Sequence, residues 1–127
     1  MTTVLVADDD FAMRLLIGAT IGLDGHDLVE ASDGDEAWRL IQERRPTVAL
    51  LDVQMPGQTG LDVTRRIRRE PSLAGMPVIL VSARTQHADL QAGYEAGANE
   101  YVTKPFSPNA LATIVRNWIA RAKNGSS

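Results

Sequence analysis

Val48-Ala49-Leu50-Leu51-Asp52 sets four apolar residues in a row directly against a carboxylate. A short apolar run bounded by breakers reads as a buried strand, and Pro46 lies just ahead of this one. Two other stretches share the design. Val4-Leu5-Val6-Ala7 runs into Asp8-Asp9-Asp10, and Val78-Ile79-Leu80-Val81 ends at Ser82. Two weaker strands complete the set. Asp27 to Ala31 has Leu28 and Val29 flanked by acids, as suits a half-exposed edge strand. Glu100-Tyr101-Val102-Thr103 is followed at once by Lys104-Pro105.

Segments of helical period fill the gaps. From Phe11 to Leu23 the apolar residues Met13, Leu16, Ile17 and Ile21 recur at helical spacing, and Gly25 stops the pattern. Ser32 or Asp33 can cap a second helix carrying Ala37, Trp38, Leu40 and Ile41, which must end near Arg45 because Pro46 follows. Met55-Pro56-Gly57-Gln58-Thr59-Gly60 reads as a loop, and a third helix from Leu61 to about Arg69 stops before Pro71. Gln86 to Gly97 reads as a fourth helix, weakened by interior Gly93. Ser107-Pro108 makes a cap and first turn for a fifth, with Leu111, Ile114, Val115, Trp118, Ile119 and Ala122 along one face. Lys123 to Ser127 reads as a frayed tail, so one domain is expected over residues 1–123, with 124–127 a disordered tail or the start of a linker.

Composition narrows the classes. The 127 residues make about one domain, and a hydrophobic content of 44% can fill one core. A net charge of −3 implies neither a nucleic-acid surface nor an acidic tail. With no cysteine, disulfides, thiolate metal sites and thiol nucleophiles are excluded. The start lacks a basic leader, and no apolar run approaches the roughly 20 residues that span a bilayer. A cytoplasmic location without membrane contact is the expectation.

Five strand–helix units in strict alternation predict a parallel sheet covered by helices on both faces. Right-handed crossovers point every strand the same way, so the C-terminal strand ends share one edge, where ligands bind in such folds. That edge then gathers Asp8, Asp9, Asp52, Ser82 and Lys104 from distant parts of the chain. Three carboxylates brought together need protons or a cation. Oxygen ligands without His or Cys favour a hard ion such as Mg²⁺. A carboxylate nucleophile, a metal, a lysine and a hydroxyl are the ingredients for phosphoryl transfer to an aspartate.

The runs Val4–Asp9, Leu50–Gly57, Pro77–Ala83 and Tyr101–Phe106, in this order and spacing, resemble the receiver domains of two-component response regulators. Ala31–Ala37 and Glu95–Ala98 fit the same pattern, and the likeness covers about Thr3 to Arg121. It implies a flavodoxin-like (βα)5 fold, doubly wound, with strand order 2-1-3-4-5. It implies that Asp52 is the phosphoacceptor, attacking a phosphohistidine on a sensor histidine kinase or histidine phosphotransfer protein. Asp9, Asp52 and the Gln54 backbone carbonyl would bind Mg²⁺ (or Mn²⁺ in its place), with Asp8 acting through a metal-bound water. Lys104 would pair with Asp52 at rest and with the phosphoryl group afterwards. Ser82 would move to the phosphoryl oxygen and Tyr101 would turn inward behind it, while a cis Lys104-Pro105 bond would aim the lysine into the site. The output would pass to a downstream protein or output domain, or to a second copy of the chain, through the last two helices and the last strand. Such a protein is a signalling switch that catalyses only its own phosphorylation and dephosphorylation.

Each assignment has a plainer competitor. Asp10 is expected merely to open the first helix, stabilised by its dipole. Arg65, Arg66, Arg68 and Arg69, with Arg44 and Arg45, lack interleaved aromatics and read as a solvated helix face rather than a nucleic-acid surface. Thr59 stands where receivers often carry an aspartate, at a loop position expected to be remote from the chemistry. Gln54 and Arg84 fill two positions that influence phosphoryl loss in this family. Neither is an acid suited to orienting water, so slow to intermediate self-dephosphorylation is expected. A hydrolase of the haloacid-dehalogenase type would want an acid at position 54 and a cap domain, and a nucleotide-binding protein would want a Gly-rich loop after the first strand. A degenerate receiver would have lost the acids or the lysine.

Overall fold

The computed structural model describes residues 2–22 and 25–124. Among these, five strands alternate with five helices: β1 (Thr3–Ala7), α1 (Phe11–Gly22), β2 (Asp27–Ala31), α2 (Gly34–Arg44), β3 (Val48–Asp52), α3 (Gly60–Arg69), β4 (Val78–Ser82), α4 (His87–Ala96), β5 (Glu100–Thr103) and α5 (Pro108–Asn124). The strands form one sheet in the order β2-β1-β3-β4-β5, with every pairing parallel. This is the flavodoxin-like architecture that the resemblance implies, and its parallel sheet is the one that the alternation of strand and helix patterns predicts.

Burial follows from position in the sheet. β3 and β4 are buried along their whole length, because helices cover both of their faces. β2, at the edge, buries only Val29 and Ala31. Alternate strand residues divide the core into two layers. Leu5, Leu51 and Leu80 face α2 and α3 through Ala37, Ile41, Val63 and Ile67. Val6, Leu50 and Ile79 face α1 and α5 through Ile17, Ile21, Leu111 and Val115. Leu50 and Leu51, each at most 1% exposed, thus anchor opposite layers, and truncating either to alanine would cost about 2–5 kcal/mol.

Helix ends are set by local chemistry. The Asp33 carboxylate accepts from the Glu36 N–H at the start of α2, and Arg45 ends that helix at φ 45°, just before Pro46. Thr59 closes a capping box with Asp62, so the position read as loop is the cap of α3, which begins one residue earlier than its pattern suggests.

Two expectations need correction, and a third lies outside the described residues. Leu16 is 44% exposed, because the face of α1 turned to the sheet runs through Ile17, Thr20 and Ile21 instead. The expected end of this helix at Leu23 lies outside the described residues. The last helix continues through Lys123 to Asn124, beyond the last apolar position, while residues 125–127 of the expected tail lie outside the described residues.

Candidate functional site

The parallel register carries the ends of β1 and β3 to one place. Ala7 pairs with Leu51, so Asp8 and Asp52 leave adjacent strands side by side. Asp9 follows at the edge of the same hollow, and one carboxylate oxygen from each of Asp8, Asp9 and Asp52 lies within 4.8 Å of the others. Asp8 is 1% and Asp52 7% exposed, whereas Asp9 is open to solvent. Lys104 stands just past β5 and is joined to Pro105 by a cis bond. Its Nζ donates to Asp8 Oδ2 at 2.9 Å and to Asp52 Oδ2 at 3.3 Å. The expected pairing with Asp52 is therefore a bridge, and its shorter arm goes to Asp8. Asp8 is the more deeply buried acid, so desolvation draws the ammonium towards it.

Local backbone bonds fix each group. Asp8 Oδ1 accepts from the Asp10 N–H at 2.9 Å, and Arg14 Nη1 donates to the Asp8 carbonyl at 2.7 Å. Asp10 itself turns away and accepts from the Ala12 N–H at 3.0 Å, so it opens α1 as the plainer reading held. Asp52 Oδ1 accepts from the Gln54 N–H at 3.1 Å. Gly60 packs so closely over β3 that a Cβ there would collide with the Asp52 carbonyl. Ser82 is fully buried, and its Oγ accepts from the Arg84 N–H at 3.0 Å rather than pointing a hydrogen bond at Asp52. Tyr101 is half-buried against the α2–α3 layer, and its hydroxyl donates to the Arg84 carbonyl at 2.9 Å.

Charge at this edge is unbalanced: three carboxylates face one ammonium. Burial, and then the Asp8 charge, push Asp52 from 3.8 up to about 6, against the opposing pull of the Gln54 N–H and Lys104. Burial works against the Lys104 ammonium, but the hydrogen bond to Asp8 and the charges of Asp52 and Asp8 outweigh it and hold the pKa above the usual lysine value. An all-oxygen donor set with surplus negative charge fits a hard divalent cation with water in its remaining positions.

Two features escaped the sequence reading. With its amide turned to suit its neighbours, Gln54 Oε1 accepts from Arg84 Nη2 at 2.9 Å and Nε at 3.0 Å, bridging the loops after β3 and β4 beside Asp52. No spacing rule joins residues 54 and 84; only the adjacency of β3 and β4 does. Arg68 is the second: it is half-buried and hydrogen-bonded rather than solvated with its arginine neighbours.

Residues 4–116 match the family described as the response regulator receiver domain. The chain belongs to that family. This receiver is 36% identical over 126 residues to the transcriptional regulatory protein AfsQ1 of Streptomyces coelicolor, covering 99% of the chain and 55% of the relative. It is 32% identical over 125 residues to the phosphate regulon transcriptional regulatory protein PhoB of Pseudomonas aeruginosa, covering 98% and 55%. The receiver thus spans about half the length of the curated relatives it matches. Among solved structures, the Francisella response regulator 1452 receiver domain superposes with a TM-score of 0.89 at 32% identity, covering 95% of this chain and 98% of that one. Chemotaxis protein CheY4 of Vibrio cholerae gives 0.86 at 29%, covering 92% and 98%. Among the described residues no helix is long and apolar enough to cross a membrane.

Proposed function

We propose that this receiver takes a phosphoryl group onto Asp52 from the phosphohistidine of a sensor histidine kinase or histidine phosphotransfer protein, and relays the change through Ser82 and Tyr101. One Asp52 oxygen attacks phosphorus, the donor's P–N bond breaks, and the imidazole leaves with the electron pair and takes up a proton. Asp9, Asp52 and the Gln54 carbonyl would hold Mg²⁺ or Mn²⁺, with Asp8 reaching it through water. When bound, that ion neutralises charge on the transferring group. Lys104, tethered to Asp8, keeps a positive charge beside the Asp52 oxygens on which the new phosphoryl group arrives. Ser82 exchanges the Arg84 N–H for a phosphoryl oxygen, and the freed loop carries the change to Tyr101. The surface of α4, β5 and α5 would then bind a downstream protein, an output domain or a second copy. A cytoplasmic setting fits this role.

The observation that carries the reading is the meeting of three carboxylates within 4.8 Å with one lysine bonded to two of them. Intact-mass measurement after treatment with acetyl phosphate and Mg²⁺ tests it. One phosphoryl group should be gained, and none with chelator present or in Asp52→Asn. Uptake that persists in Asp52→Asn, or steady turnover of small phosphate esters, would overturn the reading.

A further inference from the structure

Gly93 sits in the middle of α4, buried, where glycine weakens a helix more than any residue but proline. Such a glycine calls for a packing reason. Beneath it lie Leu80 of β4 and Tyr101 of β5, which are register partners on neighbouring strands and share the sheet face that α4 covers. A Cβ built on Gly93 would stand 2.8 Å from Tyr101 Cδ2, 3.2 Å from its Cε2 and 3.1 Å from Leu80 Cδ1. The bare backbone of Gly93 is therefore the roof under which the tyrosine ring lies.

We propose that Gly93 is a positioning residue for Tyr101: by offering no side chain, it seats the ring inward and so sets the orientation from which the α4–β5 surface is displayed. The seat is built from α4 and β4 alone and requires no group at Asp52, so the ring lies inward without the phosphoryl-linked turn that the resemblance implies. From it the Tyr101 hydroxyl reaches the Arg84 carbonyl, while the Arg84 N–H is held by Ser82. A single residue, Arg84, thus joins the two expected switch side chains through its backbone, and Gly93 keeps one of them in reach. If a methyl group were added at position 93, one neighbour would have to move. Leu80 is 0% exposed and enclosed by the core, whereas Tyr101 has solvent on one side. The ring is the part that would leave, breaking the hydroxyl bond to Arg84.

The chain has two tyrosines, so fluorotyrosine labelling gives two ¹⁹F signals, assigned with Tyr94→Phe. In Gly93→Ala the Tyr101 signal should move towards the position of free fluorotyrosine, while Mg²⁺ affinity by calorimetry stays within about twofold. Thermal melting supplies the second readout. In an open helix position Gly→Ala raises the midpoint by a few degrees. Here it should give no rise in the parent chain, yet the full rise in a Tyr101→Ala background, a comparison that works even if Gly93→Ala alone folds poorly. An unmoved Tyr101 signal, or equal gains in both backgrounds, would overturn the proposal. That Tyr101 transmits the signal rests on the function proposed above. Phosphoryl gain at Asp52 tests that function independently of where the ring sits.

Discussion

Lys104 and Arg68 are both half-buried cations, and they sit at opposite ends of the same sheet. Lys104 meets carboxylates, 2.9 Å from Asp8 and 3.3 Å from Asp52. Arg68 meets only neutral oxygens: the carbonyls of Gly97 at 2.9 Å, Ala74 at 3.0 Å and Met76 at 2.7 Å, and Asn99 Oδ1 at 2.8 Å. Burial lowers the Arg68 pKa with no charged partner to oppose it. Asn99 Oδ1 also accepts from the Val78 N–H, so α3, the following turn and the starts of β4 and β5 close around one guanidinium. A planar fork matched to fixed acceptors leaves nothing over for a ligand. At the Lys104 end the charges do not cancel, and the surplus of carboxylates makes room for another cation. A buried cation does not by itself mark a working site; unbalanced charge around it does.

The largest test of this contrast is Arg68→Ala. Removing the fork strands three backbone carbonyls and leaves Asn99 Oδ1 with the Val78 N–H alone, at a cost of about 3–5 kcal/mol, or roughly 10 °C or more in Tm. Mg²⁺ affinity should be unchanged, and added Mg²⁺ should raise Tm no more than in the parent chain. Lys104→Ala should cost less, about 2 kcal/mol at neutral pH, by leaving Asp8 and Asp52 facing each other. There Mg²⁺ should bind more tightly than in the parent and restore most of the loss, because the ion takes over the missing charge. Melting curves with and without Mg²⁺ check both, and equal metal responses in the two variants would erase the distinction.

Charge imbalance also gives a pH signature. The folded-state pKa of Asp52 is raised from 3.8 to about 6, so its ionised form costs stability and its protonated form adds it. That contribution is complete below about pH 4 and lost as pH rises through about 6. Without divalent metal, Asp52→Asn should therefore be more stable than the parent by about 1–2 kcal/mol at pH 7.5, with the gap closing towards pH 4. Saturating Mg²⁺ should cancel the gain at pH 7.5, since it stabilises the parent through the carboxylate that the variant lacks. Denaturant titrations at the two pH values measure it. A gap that widens as pH falls would contradict the sign.

The two ends also differ in how far the sequence reveals them. Asp8, Asp9, Asp52, Ser82 and Lys104 could be placed together because each stands at or just past the end of a strand pattern, and parallel connections bring such ends to one edge. Arg68 could not be separated from Arg65, Arg66 and Arg69, since its acceptors are backbone carbonyls whose positions depend on how the turn after α3 folds. Arg66 lies over Trp38 at 4.7 Å, Arg65 bonds Asp62, and only Arg68 faces inward. The seat for Tyr101 was half visible: Gly93 registered as a flaw in α4, but the ring that explains it comes from β5. The shorter arm of the Lys104 bridge, to Asp8, depends on relative burial within the site, which no residue spacing encodes.

The smallest effect concerns the bridge between Gln54 and Arg84, where the site end sets a guanidinium against a neutral oxygen, here with the Asp89 carboxylate 3.9 Å from its other nitrogen. Both side chains are exposed, so Gln54→Ala should change stability by less than about 0.5 kcal/mol. Its consequence should be kinetic. The Gln54 N–H donates to Asp52 Oδ1, so the bridged side chain belongs to a residue beside that carboxylate, and the bridge is expected to hinder a water molecule there. With position 54 reduced to a methyl group, the phosphorylated form should lose its phosphoryl group severalfold faster, followed by intact mass over time. Arg84→Ala should do the same, and the double variant little more than either alone, because the pair forms one barrier. Additive effects of the two changes would mean that the residues act separately, and that the bridge is only a surface contact.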